Sequence, residues 1–560
     1  MRSIKKIYTM IAQTKERNMI KKAIRKSYPI LFIALLFAIA GSAFAIRSSY
    51  FIKTITDNIL STERSMVFLK ENSIDMIKFG LLSVIFALIA NFFKFSYSKK
   101  AMLNAKNLYI KKLFEKGINE FHSENTAKYF SNMTNDMSKI EAKYVMPIYN
   151  IIFNVCTALM SIGVLLYVNY ILLLSAIGVG IFLAVMIAIL GIPIQKHEKE
   201  LSTIKGQYTI YVKEIISSFQ IIKTNNLEDK AKHDFNKQSE NVENKEYKLN
   251  KLIAYLVLGL GIMLGVLILV TIMGGIFLVY KKLITIGTFI FGFKMFIQII
   301  NPFGQIGSEI QAIVSIKEIF NKMNENLKKT EPDNANMELA SFDKSIILKD
   351  TSFNYENKPI LKNINFEFEK GKKYLITGPS GGGKTTILRL LRKYFNPTEG
   401  DVFIDEKNLK DIKTISYFKR IANIEQQVFL FEDSLRNNIT LYKDYSDEEI
   451  NNAIEKSGLS LFVKNLNEGL NYKIEDNGKN ISGGEKARIA IARGLITKSN
   501  VILLDEAFAS LDKDTAIQVE KTLLSLKDVT VVNVSHVIFD ENKNKYDKTL
   551  FVKNTKIEVA

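Results

Sequence analysis

Six long apolar stretches, all before residue 305 of a 560-residue chain, constrain what this sequence can become more than any other feature. They cover residues 29–51, 74–97, 147–167, 170–194, 252–280 and 284–303. The hydrocarbon core of a bilayer is roughly 30 Å thick, and about 20 residues of helix cross it. Lipid offers no hydrogen bonds to a backbone, so a segment immersed in it must satisfy its own N–H and C=O groups as a helix. Only Val168 and Asn169 separate the third stretch from the fourth, which predicts a tight helical hairpin. Residues Tyr280 to Leu283 make a second short turn between the fifth and sixth. The segments 98–146 and 196–251 are long, polar and lysine-rich with few Gly or Pro breakers, and are expected to continue the membrane helices without interruption.

Charge follows the same division. Residues 1–327 carry 40 Lys and Arg against 22 Asp and Glu, whereas residues 328–560 carry 36 against 35. The basic excess therefore flanks the apolar stretches, as on the cytoplasmic side of a membrane domain. A nucleic-acid binder would display it on a folded soluble surface, so nucleic acid is not an expected partner. The first 28 residues hold nine Lys or Arg and one acid, which predicts a retained first span with a cytoplasmic N-terminus rather than a cleaved signal. With six spans, both long polar segments then face the cytoplasm. Cys156 is the single cysteine, so no intramolecular disulfide framework exists, and its apolar surroundings predict an inert thiol. A polar, proline-containing run at 328–340 is the expected linker between a membrane domain at 1–327 and a soluble α/β domain at 341–560.

The soluble half carries three patterns with chemistry. First, the apolar strand KKYLIT (372–377) runs into Gly378, Pro379, Ser380, Gly381, Gly382, Gly383, Lys384, Thr385 and Thr386, followed by the helical pattern ILRLLRKYF. Strand, glycine loop and helix form the context of a P-loop, where backbone N–H groups curl around phosphate oxygens at a helix N-terminus. Lys384 would reach the outer phosphates, and the Thr385 hydroxyl would face Mg²⁺. Second, VILLDE (501–506) reads as a buried strand delivering Asp505 and Glu506 to its C-terminal edge. Two adjacent carboxylates can divide the work, Asp505 toward Mg²⁺ and Glu506 polarising a water. Third, Asn480-Ile481-Ser482-Gly483-Gly484-Glu485 opens another helix, either as a second anion site or with Ser482 as a plain N-cap.

Together these motifs resemble the ATP-binding cassette family, and the six-span organisation resembles its exporter branch, over essentially the whole chain. The resemblance implies a polytopic α-helical membrane domain fused to an α/β P-loop nucleotide-binding domain. It implies ATP and Mg²⁺ as cofactors, and a second half-transporter as partner, the same chain or a different one. ISGGE at 481–485 matches the family signature with Ile for Leu and Glu for Gln, which places Ser482, Gly483 and Gly484 on the partner's ATP. Tyr355 matches the aromatic that stacks on adenine; otherwise it is a strand tyrosine. IANIEQQVFLF (421–431) resembles the glutamine loop, with Gln426 toward Mg²⁺ or water, although Glu425 stands where proline is usual. ASLD (509–512) puts Asp512 at the dimer interface, and His536 matches the switch histidine that contacts the γ-phosphate. Before the signature, Glu475-Asp476-Asn477-Gly478 departs from the family's Gly-Glu-Arg-Gly. Segments 121–131 and 214–229 resemble the two coupling loops.

The resemblance implies alternating access driven by two cassettes closing on two ATP molecules, in a bacterial cytoplasmic membrane. An ATP-gated channel or sensor would tolerate loss of the catalytic acid, yet Glu506 is present. An importer on the same scaffold stays open, as does a lipid flippase beside the favoured peptide or amphipathic drug-like cargo. Lys294, with Gln298 one turn on, sits in the last apolar stretch, where a charge costs about 3 kcal/mol. It is expected either to line the substrate cavity or to find an internal partner or the lipid headgroups. Arg47 and Lys94 lie nearer stretch ends, where snorkelling is expected.

Overall fold

The computed structural model describes residues 19–60, 66–123, 126–327, 335–355, 358–425 and 427–559. Two compact units emerge, Met1–Lys116 with Asn125–Lys328, and Gly117–Glu124 with Lys329–Ala560. The principal helices of the first are α1 (Tyr28–Ile59), α2 (Met66–Phe114), α3 (126–168), α4 (Tyr170–Ser217), α5 (Glu228–Tyr280) and α6 (Ile286–Ser315). Each carries one of the six apolar stretches, and all but α4 are long and apolar enough over their described residues to cross a membrane. In α4 the described apolar segment is Tyr170–Phe182.

The hairpin between α3 and α4 turns on Asn169. Its extended backbone ends one helix, and its side chain accepts from Ile171 N and Leu172 N at 3.0 and 3.1 Å to cap the next. The polar segments are helical but not continuous. Residues 115–117 break the first, and Asn225 with the left-handed Asn226 breaks the second, because asparagine tolerates positive φ where most residues do not. Of the expected coupling segments, 121–131 starts within the short helix Ile118–Ser123, past the first break, with residues 124 and 125 outside the described residues, and 214–229 spans the short helix Phe219–Thr224 and the second break.

Leu88 and Phe92 on α2, and Leu258 and Val266 on α5, are all more than half exposed. Such faces suit lipid, which gives apolar surface no reason to hide. Association must then come from close packing and interhelical polar contacts. Phe44 and Phe86 meet edge to face at 5.1 Å between α1 and α2, over Gly41. Between α3 and α6, Asn150 donates to Glu309 at 2.6 Å and Asn154 to Gln305 at 3.1 Å. Lys94 on α2 donates to the same Asn150 at 3.2 Å, so it has an internal partner. Asp57, ending α1, accepts from Thr285 Oγ1 and Gly287 N, both at 2.9 Å, and so ties α1 to the start of α6.

The second unit holds two sheets. Strands β1 (Ser345–Tyr355), β2 (Lys358–Glu369), β4 (Glu399–Ile404) and β5 (Lys407–Asn408) form an antiparallel sheet in the order β2-β1-β4-β5. The other runs β10-β9-β3-β8-β7-β6, from β3 (Lys373–Thr377), β6 (Ile421–Ile424), β7 (Val501–Asp505), β8 (Thr530–Val534), β9 (Lys548–Lys553) and β10 (Lys556–Val559). All its pairings except β9–β10 are parallel. Strand β7 is buried on both faces. Val501 and Leu503 join a core with helix α7 (Lys384–Leu391), while Ile502 and Leu504 join another with helices α9 (Gly483–Ile496) and α10 (Lys513–Leu524). Alternation along the strand thus explains why a continuous apolar run serves a parallel sheet. A third core joins α9 to α8 (Asp447–Lys456). The described end of the expected linker packs with this unit: Leu339 is buried in its core and Met337 bridges Ile412.

Replacing Gly41 with Leu would drive a side chain into Phe86 and Ser83, since a Cβ alone would stand 3.3 Å from each. We expect a clear loss of folded monodisperse protein in detergent, read by fluorescence-detected size exclusion, with Gly163→Leu as a control where a Cβ meets open space.

Candidate functional site at the edge of the parallel sheet

Strand β3 ends at Thr377, and the chain turns through Gly378 at φ +139. A Cβ there would stand 2.3 Å from the carbonyl oxygen of Val552, so neither the angle nor the space admits a side chain. Pro379, Ser380, Gly381 and Gly382 complete the loop, and Gly383, at φ +108, is the N-cap of α7 without a side-chain cap. The first N–H groups of α7 are therefore left for an anion, in line with the positive end of the helix dipole. Lys384 is buried, and its Nζ donates to the carbonyls of Gly378 and Pro379 at 2.9 and 3.0 Å. Burial lowers its pKa, while Glu506 and Asp505 pull it up. Thr385 is half-buried and Thr386 buried in the first turn.

Register brings the other groups to the same edge. Asp505 ends β7 opposite Val534 of β8, whose partner on β3 is Ile376. Burial pushes the Asp505 carboxyl up, with Arg392 opposing and Glu506 adding to the shift. Glu506 sits at φ +49, a strained angle for a non-glycine residue, and its N–H donates to Val534 O at 2.9 Å. His536 follows β8, and its Nε2 lies 3.3 Å from Glu506 Oε1. A phosphate loop, two carboxylates and an imidazole thus meet at the C-terminal ends of three parallel strands, where ligands bind in open α/β sheets.

Tyr355 ends β1, about one-third exposed, with its hydroxyl accepting from Arg389 at 2.8 Å and its ring edge-on to Phe353 and Phe395. Ser482 is the N-cap of α9 in a full capping box: Glu485 N donates to Ser482 Oγ at 3.3 Å, and Ser482 N donates to Glu485 Oε2 at 2.8 Å. A Cβ on Gly484 would come 3.1 Å from Ser510 O, so the start of α9 lies against the loop before Asp512. Asp512 caps α10 by accepting from Thr515 N at 2.9 Å, which holds its carboxyl below the usual range. Gln426 lies outside the described residues. In the other unit, exposed Lys294 donates to Ser49 on α1, so it does have an internal partner, and Gln298 is half-buried.

Arg392, which the sequence reading passed over, stands 3.7 Å from Asp505. An arginine in the apolar pattern ILRLLRKYF was its only signal.

These features define a P-loop nucleotide-binding domain joined to a helical membrane domain. Residues 361–509 match the ABC transporter family and residues 31–303 its ABC transporter transmembrane region. The chain belongs to the ABC transporter family, as an exporter-type half-transporter with both domains in one polypeptide: a multi-pass membrane ATPase whose architecture implies dimerisation. An ATP-dependent lipid A-core flippase of Desulfotalea psychrophila is 28% identical over 89% of this chain and 87% of its own length. One from Haemophilus influenzae is 26% identical over 90% and 86%. A bacterial Atm1-family ABC exporter solved with ATP bound superposes with a TM-score of 0.80 at 19% identity, over 95% of each chain.

Gly378→Ala should weaken ATP binding by about five- to 150-fold, since forcing a side chain into that angle costs on the order of 1–3 kcal/mol. Titration of the full-length protein with a fluorescent ATP analogue checks this; unchanged affinity would remove the loop from the binding site.

Proposed function

We propose that two copies of this chain form a homodimeric pump in the cytoplasmic membrane of a bacterium, moving an anionic amphiphile of lipid type out of the inner leaflet by ATP-driven alternating access. The approach of His536 to Glu506, beside Lys384 on one sheet edge, carries the enzymatic part. Loop amides of 378–383 and the Lys384 ammonium hold the phosphates, and Tyr355 offers its ring to adenine. Thr385, Asp505 and Gln426 would hold Mg²⁺, whose charge neutralises the phosphate oxygens. A buried carboxylate beside a second one fits a divalent cation, because burial and the neighbouring Glu506 both disfavour the charged form of Asp505 until a cation is there. Glu506 accepts a proton from the attacking water, and His536 keeps that carboxylate aimed while donating toward the γ-phosphate. The partner subunit's Ser482, Gly483 and Gly484 close the site, with Asp512 at the seam. ATP binds the closed dimer best, so it shifts the population toward the outward-open state, and hydrolysis releases it.

Long similarity to lipid A-core flippases supports a lipid-type cargo. An anionic headgroup fits Lys294, an exposed cation in an apolar stretch whose one described partner, Ser49, is neutral.

Glu506→Gln should lower steady-state ATPase activity by at least about 100-fold while leaving ATP binding intact, in keeping with loss of a general base. Normal turnover in that variant refutes the assignment. In lipid nanodiscs, anionic amphiphiles should stimulate the wild-type ATPase more than neutral amphiphiles or peptides do. Lys294→Met should remove the anionic preference but keep basal activity; a preference that survives the substitution excludes Lys294 from cargo recognition.

A further inference from the structure

Arg392 directly follows α7 and is 3% exposed. A cation at that depth needs anionic partners, and it has two. One terminal guanidinium nitrogen lies 3.7 Å from Asp505 Oδ2 and 3.7 Å from Glu425 Oε1. The other donates to Ile424 O at 3.2 Å. Glu425 Oε1 also accepts from the Tyr394 hydroxyl at 2.9 Å, and the guanidinium stands 6.0 Å from the centre of that ring. Its Nε is buried without a hydrogen-bond partner among the described residues.

The geometry points to Arg392 and Glu425 as positioning residues for the ATPase, with Glu425 drawing part of the guanidinium's pull away from Asp505 so that this carboxylate stays available to the metal. The inference rests on the reading of Asp505 as a Mg²⁺ ligand. Both carboxylates stand at the same distance from one cation, so neither owns it. Remove the charge of Glu425, and Asp505 becomes the only described carboxylate in contact with Arg392. The guanidinium then competes with the metal for the same oxygens. Tyr394 and the Ile424 carbonyl fix Glu425 and the guanidinium in place, which keeps the division stable. Glu425 is itself about half exposed, so neutralising it need not disturb the core. The residue standing where the family usually carries proline thus gains a role in setting charge at the site.

The test uses full-length protein carrying Glu506→Gln to block hydrolysis. Binding of Mn²⁺ in the presence of saturating ATP is measured by electron paramagnetic resonance, and metal-free ATP binding by a fluorescent analogue. Adding Glu425→Gln should weaken Mn²⁺ binding about five- to tenfold while metal-free ATP affinity stays within about twofold, and that loss should vanish when Arg392 is Met. If Arg392→Met does not fold, Arg392→Lys serves instead: one ammonium cannot bridge three acceptors, so the effect of Glu425→Gln should shrink. A loss of less than about twofold, or an equal loss with and without the guanidinium, overturns the proposal. So does an equal loss of metal-free ATP affinity, which would mark general damage. Asp505→Asn separates the layers: unchanged Mn²⁺ binding there defeats the metal-ligand reading and the clamp together. Weakened binding there, with Glu425→Gln unaffected, defeats the clamp alone.

Discussion

The register of three parallel strands is the constraint on which the catalytic half depends. Val534 of β8 pairs with Ile376 on one side and Asp505 on the other, so the three strands end within one residue of each other and the residues beyond leave the sheet at one edge. Those residues open the phosphate loop, supply Glu506 and lead to His536. A slip of one position in β7 would turn Asp505 to the opposite face and break both hydrophobic cores, which draw on alternate residues of that strand. Packing energy therefore holds the chemical groups in alignment. Glu506 takes a positive φ at that edge and is held there by its backbone bond to Val534. Strain of this kind persists only where the surroundings over-determine it.

Different physics holds the membrane half. Its helices present large apolar side chains outward, so burial cannot be what joins them. Close approach at Gly41 and a few polar contacts do that work, including Asp57 to the start of α6 and Asn150 to Glu309. Lys94 and Lys294 use internal oxygen acceptors rather than carboxylates in direct contact. For Lys294 that acceptor is the hydroxyl of Ser49, which orients a cation without neutralising it.

Much of the site was legible because its motifs are local. Glycines before Lys384, an apolar run ending in two acids, and Ser482 three positions before Glu485 each carry their geometry in their spacing. The last also follows the capping-box pattern, which is how Glu485 behaves within the single chain. Arg392 left little trace, because a basic residue in an amphipathic helix is usually at the surface. Its burial depends on Glu425, just past the end of β6, and Asp505, the last residue of β7, both distant along the chain. The end of the polar run at 328–340 gave no local sign of its packing for a related reason. Leu339 reads as one apolar residue in a polar run until a core forms to receive it.

By itself the sequence determined the class of solvent each half would meet, the helical form of the first half, and the phosphate-binding chemistry of the second. Hydrophobic length, periodicity and glycine placement act over a few neighbouring residues, so no folded context is required to read them. Tertiary structure decided which carboxylate faces which cation, where the polar helices break, and that Glu506 meets His536. Those outcomes depend on strand register and on the depth at which a charge is buried. Both are set by contacts between segments far apart in the chain, and neither has a local signature.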